Sequence, residues 1–380
     1  MDRNARIAIA GAGLGGLTLA GLLQQAGFRR VAVYEQTPTF ERIGAGIILG
    51  ASIARVMRRL GVGHEFETVG IKPDAFVSRE WDTGATTNEL VFDAACEARF
   101  GGPFVNIHRA DLHEILRKPL APDTIRYAHR LAGVDEAADG MLTLAFADGQ
   151  RAAADILVGA DGVRSAVRDC LYGPETPRYV GRVGLRAVFP AARALAAGVH
   201  MRDCTKWWGP DRHALSYFIT ARRDEIYIMG AAPEPGWHAD SEPRIGTVDE
   251  FLAYYEGFHP DFTRLIEVAG AIQVLPIVDR PRRDGWSRGG VVLMGDACHP
   301  VRPYMAAGGT MAIEDAAILA SALAQHDSPA AAFVSYEAIR VPRCARIQEQ
   351  TIENSGLRFP HDTEWYFGYD AFAEDVRVAA

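Results

Sequence analysis

The sequence is poor in cysteine, and its cysteines are not arranged to act together. The five, Cys96, Cys170, Cys204, Cys298 and Cys344, are odd in number, widely spaced and without a CxxC pair. A disulfide framework and a zinc site are therefore not expected, and the usage fits a reducing cytoplasm. Basic runs and acidic tails are missing too. With 40 Lys and Arg against 48 Asp and Glu, and a net charge of −8, nucleic acid is not expected as a partner. No repeat period or low-complexity block is present. Unbroken apolar runs long enough to span a bilayer are lacking. Residues 7–23 contain Gly11, Gly13, Gly15, Gly16 and Gly21, and the later long run is interrupted by Glu314 and Asp315. No membrane segment is expected. His64, His129, His200, His238 and His259 have no metal-ligand spacing, so no metal is expected either.

What remains is an ordinary globular composition, 48% hydrophobic and 23% charged, in a length of 380 residues that suits two subdomains or one large α/β domain. Apolar patterning predicts buried strands over residues 6–10 and 31–35, flanking a helix over 14–25. A second strand–turn–helix is expected over 156–170. A third strand and turn lie over 290–300, with a helix from about 310 to 324. Between about 179 and 288 the texture changes to short alternating runs, such as 214–220 and 225–230, separated by Gly, Pro and Asp. That reads as a mostly antiparallel sheet with one ligand-facing side. Residues 329–355 are helical in pattern, and 365–380 are aromatic, then acidic, with no assigned element. The expected organisation is a nucleotide-binding part over 1–178, with a minor substrate-side segment near 72–105. A substrate-binding sheet follows over 179–288, and 289–380 returns to the nucleotide-binding part with C-terminal helices.

Gly11-Ala12-Gly13-Leu14-Gly15-Gly16 reads GxGxxG, after an apolar strand and at the opening of a helix. The second strand ends at Glu35, 19 residues beyond Gly16, close to the spacing of about 20 that a dinucleotide fold uses. The first glycine makes the tight turn, the second lets a pyrophosphate approach the backbone, and the third lets helix pack on strand. Free N–H groups at the helix start hold the phosphates. Glu35 would accept hydrogen bonds from the adenosine ribose and would disfavour a 2′-phosphate. This fingerprint leaves FAD and NAD both open.

Two later motifs narrow the choice. Gly159-Ala160-Asp161-Gly162 precedes a helix with Arg164 and Arg168, and Gly295-Asp296-Ala297-Cys298-His299-Pro300 follows a strong strand. With GxGxxG, a DG motif and a GD motif in this order, the chain resembles the single-component (group A) FAD-dependent aromatic hydroxylases, the group of para-hydroxybenzoate and salicylate hydroxylases. The resemblance covers nearly the whole chain. It implies an α/β fold: a Rossmann-like FAD-binding domain of the para-hydroxybenzoate hydroxylase type, an inserted, mainly antiparallel substrate sheet, and C-terminal helices. It implies tightly bound FAD, NAD(P)H as transient reductant with NADH favoured, and O₂. The reaction implied is transfer of oxygen, with or without loss of the carboxylate, to a small hydroxylated aromatic or pyridine carboxylic acid via a C4a-hydroperoxyflavin, in a monomer or homodimer. By the same resemblance Asp296 meets the ribityl chain. Arg109, in His108-Arg109-Ala110-Asp111-Leu112, meets the flavin side. Asp161 and Gly162 support FAD and the approach of NAD(P)H, and Gln36, Arg42, Ile48 and Leu131 join the cofactor wall. Gly308 and Gly309, just before the helix 310–324, let backbone N–H groups reach the ligand. The positive helix end would stabilise reduced flavin by roughly 0.3–1 kcal/mol.

Within this family the chain is similar to the hydroxynicotinate hydroxylases, in Lys206-Trp207-Trp208, Asp211-Arg212-His213 and Tyr366-Phe367-Gly368-Tyr369-Asp370 among other stretches. The spacing of His213 and Tyr217 also resembles the 3-hydroxybenzoate 6-hydroxylases. On a strand, residues four apart share a face. An imidazole and a phenol there can hold a substrate hydroxyl and withdraw its proton. Cys204, Tyr304 and Arg186 are assigned to the substrate side, with Arg212 a further candidate for the carboxylate. Two positions depart from the hydroxynicotinate pattern: Ile48 and Tyr304 stand where those enzymes have histidine. Both changes strip an imidazole from the pocket. The alternative substrate is therefore a differently substituted pyridine or a benzenoid acid such as 3-hydroxybenzoate or salicylate. A non-catalytic FAD-binding homologue is the alternative of another class.

Overall fold

The computed structural model describes residues 1–40, 45–354, 356–360 and 362–377. A six-stranded sheet forms one half. In spatial order its strands are Ser287–Arg288, Val291–Leu293, Ile156–Gly159, Arg6–Ala10, Arg30–Tyr34 and Ile125–Arg126. All neighbours are parallel except the first pair. Its central strands are unbroken apolar runs, Ile7 to Ala10 and Ile156 to Val158, because both faces of the sheet are covered. Helix Leu14–Gln25 packs on helix Ala307–Gln325, which packs in turn on helix Pro329–Glu353.

Among the described residues, one helix, Ala307–Gln325, is long and apolar enough to cross a membrane by length and composition, and 72% of its apolar window is buried in the protein. It is the central core helix, and its Glu314 and Asp315 are matched by Arg340 and Arg343. The helix starts at Ala307, three residues earlier than the pattern suggests. Ala306 takes a left-handed turn (φ 53°), and Gly308 and Gly309 fall inside the first turn.

An eight-stranded sheet forms the other half. Its order is Arg244–Gly246, Ile272–Asp279, Arg178–Pro190, Glu225–Pro233, His213–Phe218, Cys204–Trp208, Ala75–Glu80 and Thr86–Val91. The pairing is antiparallel except between Cys204–Trp208 and Ala75–Glu80. Helices Val248–Tyr254 and Pro260–Ala269 cover one face with Phe251, Tyr255 and Phe262. Residues of the opposite parity, including His213, Leu215, Tyr217, Tyr227 and Met229, face a cavity instead. A small sheet of Gly46–Leu49 and Val105–His108 closes the space between the halves. The C-terminal stretch that had no assigned element contributes a short helix, Glu364–Phe367, and Trp365, Tyr366 and Phe367 line the same cavity.

Candidate active site

The cavity between the two sheets has a volume of about 900 Å³, the upper end of what small-molecule sites enclose. Its long end begins where the parallel strands stop. Arg6–Ala10 runs into Gly11, Ile156–Gly159 into Ala160, and Val291–Leu293 into Gly295 and Asp296. These strands are parallel neighbours, so the three sequence motifs meet at their carboxyl ends, where open α/β sheets hold ligands.

Local geometry gives each glycine a separate reason. Gly11 has φ +104°, and a Cβ there would lie 2.4 Å from the Ala160 carbonyl oxygen. At Gly16 a Cβ would lie 2.1 Å from the Gly11 carbonyl oxygen; this glycine packs helix on strand and does not line the cavity. Gly13 is the opposite case. It precedes helix Leu14–Gln25 with no side-chain cap, and a Cβ there meets nothing within 4 Å. Among the described residues no side chain caps the first N–H groups of the helix, which open onto the cavity as a site for a pyrophosphate. Gly15 lines the wall beside them.

Glu35 also lines this end, with Gln36 and Leu131. Its carboxylate is fixed by the N–H groups of Ala12 and Thr37, both at 2.9 Å, which leaves it placed to accept ribose hydroxyls. Arg42 lies outside the described residues. Asp161 lines the wall, but its carboxylate is engaged locally: it accepts the Ser165 hydroxyl and, at 3.1 Å, the Val167 N–H. It shapes the DG turn from which the neighbouring Gly162 opens to the cavity. Arg109, Ile48, Asp296, Gly308 and Gly309 line the middle. Asp296 is exposed to the cavity yet surrounded by protein, and that enclosure raises its pKa. A carboxyl beside two glycines that add no side chains suits a polyhydroxylated ligand. An uncapped helix start, a fixed ribose acceptor and a long apolar wall together fit FAD.

The far end of the cavity is floored by the eight-stranded sheet. His213 and Tyr217 share one face, with Leu215 between them. At about 3.3 Å per residue their Cα atoms are roughly 13 Å apart, so they mark two ends of the floor rather than one point. Tyr217 packs edge-on against Tyr227 (centroids 5.2 Å). Tyr304 stands edge-on to His213 at 4.8 Å. Arg186 lines the floor and donates to Gln273 Oε1 at 2.8 Å. Cys204 does not reach the cavity. It is buried among Phe76, Leu215 and Tyr217, and burial pushes its thiol pKa up. Arg212 does not reach it either; it pairs with Asp211 and donates to the Tyr254 carbonyl.

Two further residues belong to the site, and sequence reading gave neither a role. Lys206 is buried on the strand next to His213 and lines the cavity. Its Nζ donates to the Tyr304 carbonyl at 2.8 Å and to Asn354 Oδ1 at 3.0 Å, and lies 3.8 Å from the Trp208 ring centroid. The Asn354 amide nitrogen is 3.1 Å from His213 Nδ1. A single charged residue in the buried strand Cys204–Trp208, ahead of Trp207 and Trp208, was the available signal for the first. For Asn354 there was none, since it lies 141 positions from His213.

Burial without an acidic partner brings the Lys206 pKa down from 10.5 to about 7. Between those values the unfolded chain binds a proton that the folded chain does not, so this group makes stability rise with pH from about 7 to about 10.5. Lys206→Met removes that term. Its stability relative to wild type is therefore expected to be highest at pH 7 and to decline toward pH 10, measured as urea midpoints of both proteins across that range. A difference that stays flat would refute the assigned shift.

Behind the GD turn lies a buried ionic cluster. His299 Nε2 is 2.6 Å from Asp315 Oδ2, which also accepts the Gly295 N–H at 2.8 Å. Arg340 donates to Asp315 at 2.7 Å and to Glu314 at 2.9 Å, and Arg343 adds two bonds to Glu314. The cluster fixes the backbone that carries Asp296.

The comparisons agree with this geometry. The FAD binding domain family matches residues 4–351. The 6-hydroxynicotinate 3-monooxygenase of Bordetella bronchiseptica is 41% identical, with 99% of this chain and 98% of that one covered. The enzyme of the same name from Pseudomonas fluorescens is 38% identical over 98% and 97%. The crystal structure of Klebsiella pneumoniae HpxO complexed with FAD and uric acid superposes with a TM-score of 0.81 at 26% identity, covering 95% of this chain and 90% of that one. By family match, by full-length relatives and by a cavity built from its three motifs, the chain belongs to the FAD-dependent, single-component aromatic hydroxylases.

Proposed function

We propose that the protein hydroxylates a small hydroxylated pyridine carboxylic acid, 6-hydroxynicotinate foremost, at the floor of this cavity, with NADH as reductant. The reading places it in the cytoplasm as a monomer or homodimer. The observation that carries it is the floor itself: a buried imidazole, a buried amine and an arginine in an otherwise apolar and aromatic chamber that continues into the FAD end. The two relatives that are 6-hydroxynicotinate 3-monooxygenases support the choice of ring.

Bound FAD supplies the activation of O₂; the chain supplies position, charge and dryness. His213 meets the hydroxyl oxygen that the substrate ring carries. Lys206 and Arg186 offer positive charge to its anionic groups. Leu215, Met229, Leu275 and Ile277 from the sheet, with Tyr366 and Phe367 from the C-terminal segment, keep bulk water from the reacting face. Ile48 and Tyr304, which replace imidazoles of the hydroxynicotinate pattern, both line the cavity and support a benzenoid acid as the second reading.

The test is NADH oxidation by the FAD-loaded protein with 6-hydroxynicotinate, 3-hydroxybenzoate, salicylate and 4-hydroxybenzoate, with products identified by mass. A burst of oxidation and one added oxygen, with or without loss of the carboxylate, with 6-hydroxynicotinate supports the first reading, and the same with a benzenoid acid supports the second. FAD binding with every compound inert would point to a non-catalytic homologue. With the active compound, His213→Gln is expected to lower kcat by about 10²-fold while FAD stays bound. An unchanged kcat would remove His213 from the reaction.

A further inference from the structure

We propose that Lys206 and Asn354 together fix the tautomer of His213, so that the imidazole meets the substrate oxygen with an N–H and not with a lone pair. The chain of bonds is short, with Lys206 and His213 buried at its ends and Asn354 half-buried between them. Lys206 Nζ lies 3.0 Å from Asn354 Oδ1, and Asn354 Nδ2 lies 3.1 Å from His213 Nδ1. A lysine brings hydrogen-bond donors, so the amide oxygen must face it; a neutral amine still has two N–H groups for its two oxygen neighbours, Asn354 Oδ1 and the Tyr304 carbonyl. The amide nitrogen is then left for His213. It can only donate, so Nδ1 must accept, and the single proton of a neutral ring sits on Nε2. The ring is neutral because burial, Lys206 and Arg182 all lower its pKa. Among the described residues no protein group bonds Nε2, and His213 lines the cavity, so the N–H faces the ligand space.

Asn354 is placed for this by the fold. It ends helix Pro329–Glu353 in a left-handed conformation (φ 47°) that asparagine tolerates well. Lys206, one strand from His213, adds positive charge on the same side. The pair thus favours a substrate that has already lost the hydroxyl proton and presents an oxyanion. His213 and Lys206 stabilise that charge, and neither takes the proton as a base. The role of His213 toward the substrate rests on the hydroxylase reading above, whereas the tautomer does not.

The experiment is a long-range ¹H–¹⁵N correlation spectrum of the FAD-loaded protein labelled with ¹⁵N-histidine, with His213→Gln identifying the signal. A neutral ring protonated at Nε2 is expected. In Asn354→Asp the carboxylate can only accept, so the proton is expected at Nδ1. A wild-type ring protonated at Nδ1, or the same neutral tautomer in both proteins, overturns the proposal. The second arm uses 4-hydroxy-3-nitrobenzoate, whose phenolate is yellow, titrated without reductant. Wild type is expected to favour the phenolate by about tenfold over water, one pKa unit, and Asn354→Asp to lose that preference. A bound probe that ionises as in water would refute donation to the substrate. Failure of the probe and of every aromatic acid to bind would count against the hydroxylase reading and leave the tautomer measurement standing.

Discussion

Gly11→Ala is expected to leave the protein without FAD. Gly11 holds φ +104°, a backbone region that costs an alanine of the order of 1–2 kcal/mol. Its new Cβ would also lie 2.4 Å from the Ala160 carbonyl oxygen and 2.8 Å from the Ala160 carbonyl carbon. These are backbone atoms of the turn that leaves the adjacent parallel strand, so no side-chain rotation relieves the contact. The turn must move away from the DG turn beside it, and both turns line the FAD end of the cavity. A loss of affinity of about 100-fold or more follows if the displacement costs about 2.7 kcal/mol. The ratio of flavin to protein absorbance after gel filtration reads the effect directly. Gly13→Ala separates the two causes. A Cβ there touches no protein atom within 4 Å, so the fold should be untouched while the approach of the pyrophosphate is blocked. Stoichiometric FAD in the Gly11 variant would show that the strand junction tolerates a side chain and that the clash is relieved at little cost.

Arg340→Met is expected to cost about 3–5 kcal/mol of stability, the range for removing one member of a buried ion pair. Arg340 has no exposed surface. It donates to Asp315, to Glu314 and to the Met311 carbonyl; burial works against its charge, but the neighbouring Cys344, Asp315 and Glu314 together hold its pKa well above the ordinary value. Its removal leaves Asp315 with His299 and Glu314 with Arg343, in a core that cannot hydrate them. Because Asp315 also accepts the Gly295 N–H, the loss reaches the turn that carries Asp296, so weaker FAD retention is expected alongside the lower urea midpoint. Arg340→Lys is expected to recover only part of the stability, since an ammonium cannot reach both carboxylates with a planar fork. A midpoint unchanged in Arg340→Met would mean that the apolar side chain repacks and the two carboxylates find other partners.

Much of this site was legible along the chain because its chemistry is local. GxGxxG, Glu35, the DG turn and the GD turn are each a strand running into a turn, and a strand of four or five apolar residues followed by glycine announces itself in one dimension. Even there, spacing does not reveal the work of each residue. Gly16 packs against Gly11 and stays out of the cavity, and Asp161 serves its own turn through Ser165 and Val167. Period two put His213 and Tyr217 on one face of a strand, as the structure has them, and the rise of the strand sets them at two ends of the floor.

The sequence by itself determined the parallel nucleotide-binding sheet, the antiparallel sheet beside it, and the family, because these rest on periodicity and on motifs a few residues long. The tertiary structure decided what the chamber contains. Lys206 was one lysine in a strand until burial beside Trp208 and Tyr304 lowered its pKa. Asn354 was the end of a helix until it came between Lys206 and His213, and the aromatic C-terminal segment had no assigned place until it closed a wall. Cys204 matched a family pattern and yet stops short of the cavity. Such outcomes depend on contacts between residues far apart in the chain, 98 positions for Lys206 and Tyr304 and 148 for Lys206 and Asn354, and no local pattern encodes a distance across the fold.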